Sequence, residues 1–231
     1  MPEVEIIESV PLKNREYKAV LGFAGAGFIG NTATMFVVRS KGFQQVAQIR
    51  STHIPAMTLI INGSPTPSFR VHVDDTGSIL FVITENFISA EGCWPIALKL
   101  LKWLRDKGVK EIYAFDGLPF SAPSPEIKVL GYGNKIDVEK LGITLIKEGA
   151  LSGLYSCLLE KCIEEGVPFA QFFFPTTKLT SIDFGGAVDA VEALNKLFKF
   201  GVDASPLQRS DEAQRRPAEQ KKSGLGFFKK T

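Results

Sequence analysis

Cysteine, histidine and long apolar runs are what this sequence has least of. Three cysteines among 231 residues, Cys93, Cys157 and Cys162, make no even-numbered set and no C-x-x-C pair, which argues against a disulfide scaffold and a zinc site. Cys157 and Cys162 stand five apart on one expected helix, so they diverge around its axis and read as buried thiols. The two histidines, His53 and His72, sit beside a proline-rich loop and in an expected strand, and neither belongs to a Ser or Cys motif for nucleophilic catalysis. No apolar stretch reaches about 18 residues, and the opening "MPEVEIIESVPLKNREYK" is acidic and mixed, unlike a secretory signal. The expected compartment is the cytoplasm, with no membrane partner. An excess of one charge is missing too. Residues 1–202 hold 20 Lys or Arg against 21 Asp or Glu, and residues 203–231 hold 7 against 4, so the body offers no footprint for a nucleic acid.

What is present is a 45% apolar chain long enough for one sizeable core. Apolar runs alternate with helical patterns from Lys18 to Gly201, the order of an α/β fold: a three-layer α/β/α sandwich around a mixed, largely parallel sheet. Strands are expected at Lys18–Phe23, "QQVAQI", "MTLII", "EIYAF", "IKVLGYG", "ITLI" and "PFAQFFF". Helices are expected at 29–40, "CWPIALKLLKWLRDKG", "SGLYSCLLEKCIEEG" and "DFGGAVDAVEALNKLFKFG". "FRVHVDDTGSILFVIT" reads as a hairpin turning at Asp75 and Gly77. The helix from Cys93 carries two apolar stripes, Trp94, Ala97, Leu98, Leu101 and Leu104 beside Ile96, Leu100 and Trp103, more than one sheet face needs. Trp94, Ile96, Leu100 and Trp103 are therefore candidates for an oligomer interface.

The expected body spans 1–202. Residues 203–231, "DASPLQRSDEAQRRPAEQKKSGLGFFKKT" in full, have too few apolar groups to offset ordering and are expected to form a flexible basic tail. Its end is apolar and then basic: Leu225, Phe227, Phe228, Lys229 and Lys230 are the candidate partner-binding residues.

Two motifs point elsewhere. "LGFAGAGFIGNTA" contains Gly25, Gly27 and Gly30 in the G-x-G-x-x-G spacing of a dinucleotide cradle. About 20 residues on, the sequence gives Arg50 and Ser51 rather than an acid, and then Pro55, Pro65 and Pro67 where a β-α-β unit would continue. The glycines therefore read as a tight turn with close helix–strand packing, and no cofactor or metal is expected. "DDTGS", Asp74–Ser78, echoes the aspartic-protease loop, but that chemistry needs two carboxylates sharing a proton, and no second copy exists. A hairpin turn explains it.

Taken in succession, "LGFAGAGFIGNTATMFVV", "QQVAQIRSTHIPAMTLIINGSPTPSFRVH", "ILFVITENFIS", "KLLKWLRDKGVKEIYAFDGLP" and "GALSGLYSCLLEKCIEEGVPFAQFFFPT" resemble the archaeal proteasome assembly chaperone family. The likeness runs from about Tyr17 to Leu197. It implies a fold like that of the phosphorylase/hydrolase group, a homo-oligomer, no catalysis, and a cytoplasmic assembly factor that engages proteasome α-subunits with help from a C-terminal hydrophobic-Tyr-any ending. This chain departs from that ending: its last residues are Lys229, Lys230 and Thr231, with Phe227 and Phe228 displaced inward. The same tail also loosely resembles a sliding-clamp-binding peptide, with Gly224 where an aliphatic residue belongs and Gln220 one place out of register. A nucleotide-binding enzyme using Gly25–Gly30 is the remaining alternative.

Overall fold

Tyr17–Phe23 is buried at every position but Lys18, as expected of a strand covered by helices on both faces. Residues 3–13, 16–121 and 126–224 are described in the computed structural model, the side chains of 216–224 excepted. In chain order the strands are β1 (Val4–Glu8), β2 (Tyr17–Phe23), β3 (Gln44–Ser51), β4 (Thr58–Ile61), β5 (Ser64–Pro67), β6 (Phe69–Val73), β7 (Ile79–Thr84), β8 (Val109–Pro119), β9 (Leu130–Asn134), β10 (Thr144–Leu145) and β11 (Phe169–Thr176). The helices are α1 (Ile29–Lys41), α2 (Ala90–Asp106), α3 (Gly153–Glu165), α4 (Phe184–Phe198) and α5 (Ser205–Gly224).

Nine strands form one sheet in the order β1-β3-β6-β7-β2-β8-β11-β9-β10, and β4 and β5 form a separate hairpin arm. The central four, β7, β2, β8 and β11, are parallel. Around them β1 on β3, β3 on β6, β6 on β7 and β9 on β11 are antiparallel, while the short β10 lies parallel to β9. This is the three-layer α/β/α sandwich around a mixed sheet that the alternating pattern predicts, with the parallel pairing expected to dominate found mainly at its centre.

The pleat sorts side chains between two cores. Ala19, Leu21 and Phe23 of β2, with Leu80, Val82, Ile112 and Ala114 from its neighbours, pack under α2 and α3. Val20, Phe81, Ile83, Tyr113, Phe115, Phe172 and Phe174 face α1 and α4.

Three elements depart from the sequence reading. β1 lies in the stretch read as mixed and acidic; Val4 and Ile6 join the first core, and Glu5 pairs with Arg50 of β3 at 2.9 Å. β5 carries two prolines yet pairs along its length with β4. The third is α5, which occupies residues expected to be disordered. Pro206 stands in its first turn, where the missing N–H is harmless. Leu207 is buried in the second core, with Ala204 packed on it. A few well-placed contacts suffice here because the preceding link is already fixed: Asn195 donates to the Val202 carbonyl at 2.8 Å and accepts from its N–H at 2.9 Å. The folded body therefore runs past Val202.

Candidate functional site

The glycine-rich turn links β2 to α1 at the carboxyl end of the parallel strands, the position where open α/β sheets commonly bind ligands. Gly27 has φ +62° and Phe28 φ +50°, so the chain turns through two left-handed residues before the helix begins. Gly30 then lies directly on β8: a β-carbon there would fall 1.9 Å from the Phe115 carbonyl oxygen. The glycines bring helix and strand backbones together, and protein atoms fill the space they leave. Arg50 and Ser51 are committed to β1, Arg50 to Glu5 and Ser51 Oγ by donating to the Glu3 carbonyl at 2.7 Å. β3 is separated from β2 by β6 and β7 in the sheet, so the β-α-β arrangement of a dinucleotide half is not formed.

Beneath the turn is a small polar cluster. The Phe23 N–H donates to Tyr155 Oη at 2.8 Å, and the Tyr155 hydroxyl donates to the Phe115 carbonyl at 2.9 Å. Burial, and then the neighbouring Asp116, raise the Tyr155 hydroxyl well above its ordinary value. Asp116 ends the apolar part of β8; burial pushes its carboxyl up to about 7, against the opposing effect of a hydrogen bond from the Gly117 N–H at 2.8 Å. On the other side of β7, His72 donates from Nδ1 to the Phe43 carbonyl, 3.0 Å away, and burial lowers its pKa to about 4.

These two groups oppose one another in the pH dependence of stability. Between the unfolded value of 3.8 and about 7, the folded state holds an Asp116 proton that the unfolded chain has released, so stability falls as pH rises. Between 6.5 and about 4, the unfolded chain takes up a His72 proton that the folded state refuses, so stability falls as pH drops. Each slope approaches about 1.4 kcal/mol per pH unit, and they offset where the windows overlap. Urea denaturation from pH 4.5 to 6.5 is expected to give a flat profile for the native chain with respect to these two groups, a rising one for Asp116→Asn and a falling one for His72→Asn. An Asp116→Asn profile parallel to that of the native chain would rule out the raised carboxyl.

The remaining sequence candidates are structural. Asp74 anchors the hairpin, accepting from the Ser78 and Ile79 N–H groups at 2.7 and 2.8 Å, and Gly77 takes φ +65°. His53 Nε2 lies 3.0 Å from Glu3 Oε1. All three cysteines are free and buried, and burial raises each thiol's pKa. Among the described residues no group of three His, Cys, Asp or Glu side chains is placed to hold a metal, and no helix is long and apolar enough to cross a membrane.

The proposed interface on α2 needs correction. Ile96 and Leu100 are 0% exposed and pack in the core under the sheet, because α2 rests against both β1 and α3 and so buries a stripe wide enough to include them. Trp103 is half-buried and donates from Nε1 to Glu8 at 2.9 Å, with Lys107 over its ring. What α2 leaves outward is Trp94, 41% exposed, and Leu98, 45% exposed.

At the other end of the chain, Lys178 gathers α5 onto the β11–α4 junction. Its Nζ donates to Gln214 Oε1 at 2.6 Å and lies 3.5 Å from Asp183 and 3.8 Å from Asp211. Asp183 caps α4 by accepting from Gly186, and it accepts from the Thr176 hydroxyl at 2.6 Å. Arg215 pairs with Asp211 at 2.7 Å. No local pattern announces this clamp, since its members lie far apart in the chain; Asp116, directly after an apolar strand and before Gly117, could have been noticed. The partner-binding candidates Leu225, Phe227, Phe228, Lys229 and Lys230 lie outside the described residues, beyond the end of α5.

The sequence from residue 19 to residue 221 matches the model of the PAC2 family. The chain belongs to the PAC2 family. No curated protein matches it at a significant level. Among solved structures, this PAC2 chain is similar to Pyrococcus furiosus PbaA, described as an archaeal homolog of proteasome-assembly chaperone, with TM-score 0.82 and 24% identity over 96% of this chain and 94% of PbaA. It is also similar to P. furiosus PbaB, described as an archaeal proteasome activator, with TM-score 0.83 and 17% identity over 96% of this chain and all of PbaB (100%). A Thermoplasma acidophilum protein of unknown function aligns with TM-score 0.76 and 24% identity over 92% of this chain and 89% of its own.

Proposed function

We propose that this PAC2 chain is a non-enzymatic, cytoplasmic homo-oligomer that engages proteasome α-subunits, partly through its C-terminal residues. The observation that carries the reading is the near end-to-end likeness to PbaA and PbaB, two proteins described by their relation to the proteasome. It is supported by the glycine turn, whose small residues accommodate β8 rather than a ligand, and by α5, which runs from the body towards the apolar ending.

The energetics favour several copies acting together. Burying Phe227 and Phe228 yields roughly 3 to 6 kcal/mol gross, against about 8 kcal/mol for micromolar affinity. A single ending is therefore a weak handle. Several on one oligomer bind strongly, because each later contact takes place at an effective concentration near millimolar. Lys229 and Lys230 would meet acidic rims around the apolar grooves.

Removing residues 224–231 is expected to weaken capture of proteasome α-subunits at least a hundredfold, with the melting curve and the number of copies in the native assembly unchanged. Undiminished capture overturns the role of the ending. Titrating the isolated peptide against α-subunits and against a sliding clamp separates the two partners. Thermal shift with nucleosides and nucleotides is expected to show no stabilisation; turnover that depends on Gly25–Gly30 would defeat the non-enzymatic reading.

A further inference from the structure

Sheet edges invite other strands, and folded proteins blunt them with charge, proline or brevity. Among the described residues there are four such edges. β1 carries Glu5 and Glu8 and is preceded by Glu3. β10 is two residues long. β5 contains Pro65 and Pro67. β4, "TLII", is four residues long but carries neither charge nor proline. No Asp, Glu, Lys or Arg occurs between Arg50 and Arg70, although the chain as a whole is 23% charged.

The hairpin register makes the contrast sharper. Asn62 and Gly63 both take positive φ, +50° and +77°, the conformation of a two-residue I′ turn. Ile61 and Ser64 flank it as partners, followed by Ile60 with Pro65, Leu59 with Thr66 and Thr58 with Pro67. In such a hairpin the pair beside the turn is hydrogen-bonded and the pairs then alternate. Pro65 and Pro67 therefore occupy the positions whose N–H would point away from β4, and the outer edge of β5 lacks those donors. Thr58 and Ile60 occupy the matching positions on β4, with both N–H and C=O directed outward. Ile60 is 68% exposed and Met57 45%. One side of the arm is closed to pairing and the other is open, uncharged and apolar.

We infer that the open edge of β4 pairs antiparallel with β4 of a second copy of this chain. The four-residue strand is its own complement about a two-fold axis through Leu59. Thr58 then faces Ile60 of the partner subunit and Ile60 faces Thr58 of the partner subunit, two narrow pairs that exchange both hydrogen bonds each. Met57 stands opposite Ile61 of the partner subunit on the face that carries Leu59, and no charge is buried on either face. The contact is isologous and closes after two copies, joining two arms into a four-stranded sheet. Such a short ladder makes the association concentration-dependent. The inference does not require that the partner of the assembly be a proteasome subunit, and its test contains none.

The full-length chain is examined by sedimentation velocity across a dilution series, alongside Ile60→Lys, a change at an exposed side chain that leaves the hairpin's own hydrogen bonds intact. A two-copy contact that weakens at least tenfold in Ile60→Lys, with unaltered circular dichroism and melting, is expected. Leu59→Cys gives an independent reading. At a non-hydrogen-bonded pair the two α-carbons lie about 4.5 Å apart, within the range a disulfide spans. Mild oxidation should therefore give a covalent dimer rapidly with Leu59→Cys and slowly with Ile60→Cys, whose counterpart is two residues out of register. A chain that is monomeric at every concentration, a mass distribution unchanged by Ile60→Lys, or equal cross-linking of the two cysteine variants would each overturn the inference.

Discussion

Gly30→Ala is expected to destabilise the fold by about 4 kcal/mol or more, the range of severe overpacking and forced backbone movement. The new methyl would sit 1.9 Å from the Phe115 carbonyl oxygen and 2.8 Å from its carbon, and Phe115 belongs to β8, held between β2 and β11 in the middle of the sheet. The strand has no room to retreat, so α1 must lift. Lifting opens the packing of Ile29, Ala33 and Val37, all 0% exposed. Gly42→Ala is the control: Gly42 takes φ +68° but a β-carbon there meets nothing within 4 Å, so it should lose only about 1 kcal/mol. Urea titration of both variants checks the contrast, and comparable losses would mean that helix and strand are not pressed together as described.

Glu85→Ala is expected to cost about 3–5 kcal/mol, because it strands a buried charge. Arg70 is fully buried and its guanidinium makes a bidentate pair with Glu85, Nη1 to Oε2 at 2.8 Å and Nη2 to Oε1 at 2.9 Å, with Pro67 O accepting from Nη1 at 3.0 Å. Replacing both members by apolar residues, Arg70→Met with Glu85→Leu, should recover most of the loss, since the penalty arises from the unpaired ion rather than from the absence of the pair. The double variant and both singles, measured by denaturation, form the cycle that decides this. A double variant as unstable as Glu85→Ala would mean that the ion pair itself carries the stability. The same Arg70 and Glu85 line an open groove of about 1090 Å³ whose wall includes Phe28, Met35, Met57 and Leu207.

Elements with a strong internal period were legible in the sequence. β2, α1, α2, α3, β11 and α4 all fall where the apolar spacing places them, because each is buried along a face that its own residues spell out. What escaped was written in distant partners. β1 is a short edge strand held by β3; β5 is a proline-bearing strand visible only through its register with β4. α5 is nearly devoid of apolar residues, yet one leucine and the Lys178 clamp dock it. The two apolar stripes of α2 are plain in the sequence, but not which of them the chain itself covers, and Ile96 and Leu100 lie on the covered side. Asp116 and Tyr155 meet only because β8 and α3 converge beneath the glycine turn.

The docking of α5 also has a mechanical side. Twenty residues of α-helix extend about 30 Å, so a tilt of about 10° at the anchored first turns sweeps the far end through about 5 Å. Leu207 and Lys178 thus act like the bearing of a pointer: small errors in seating at the base grow into large errors of aim at the tip.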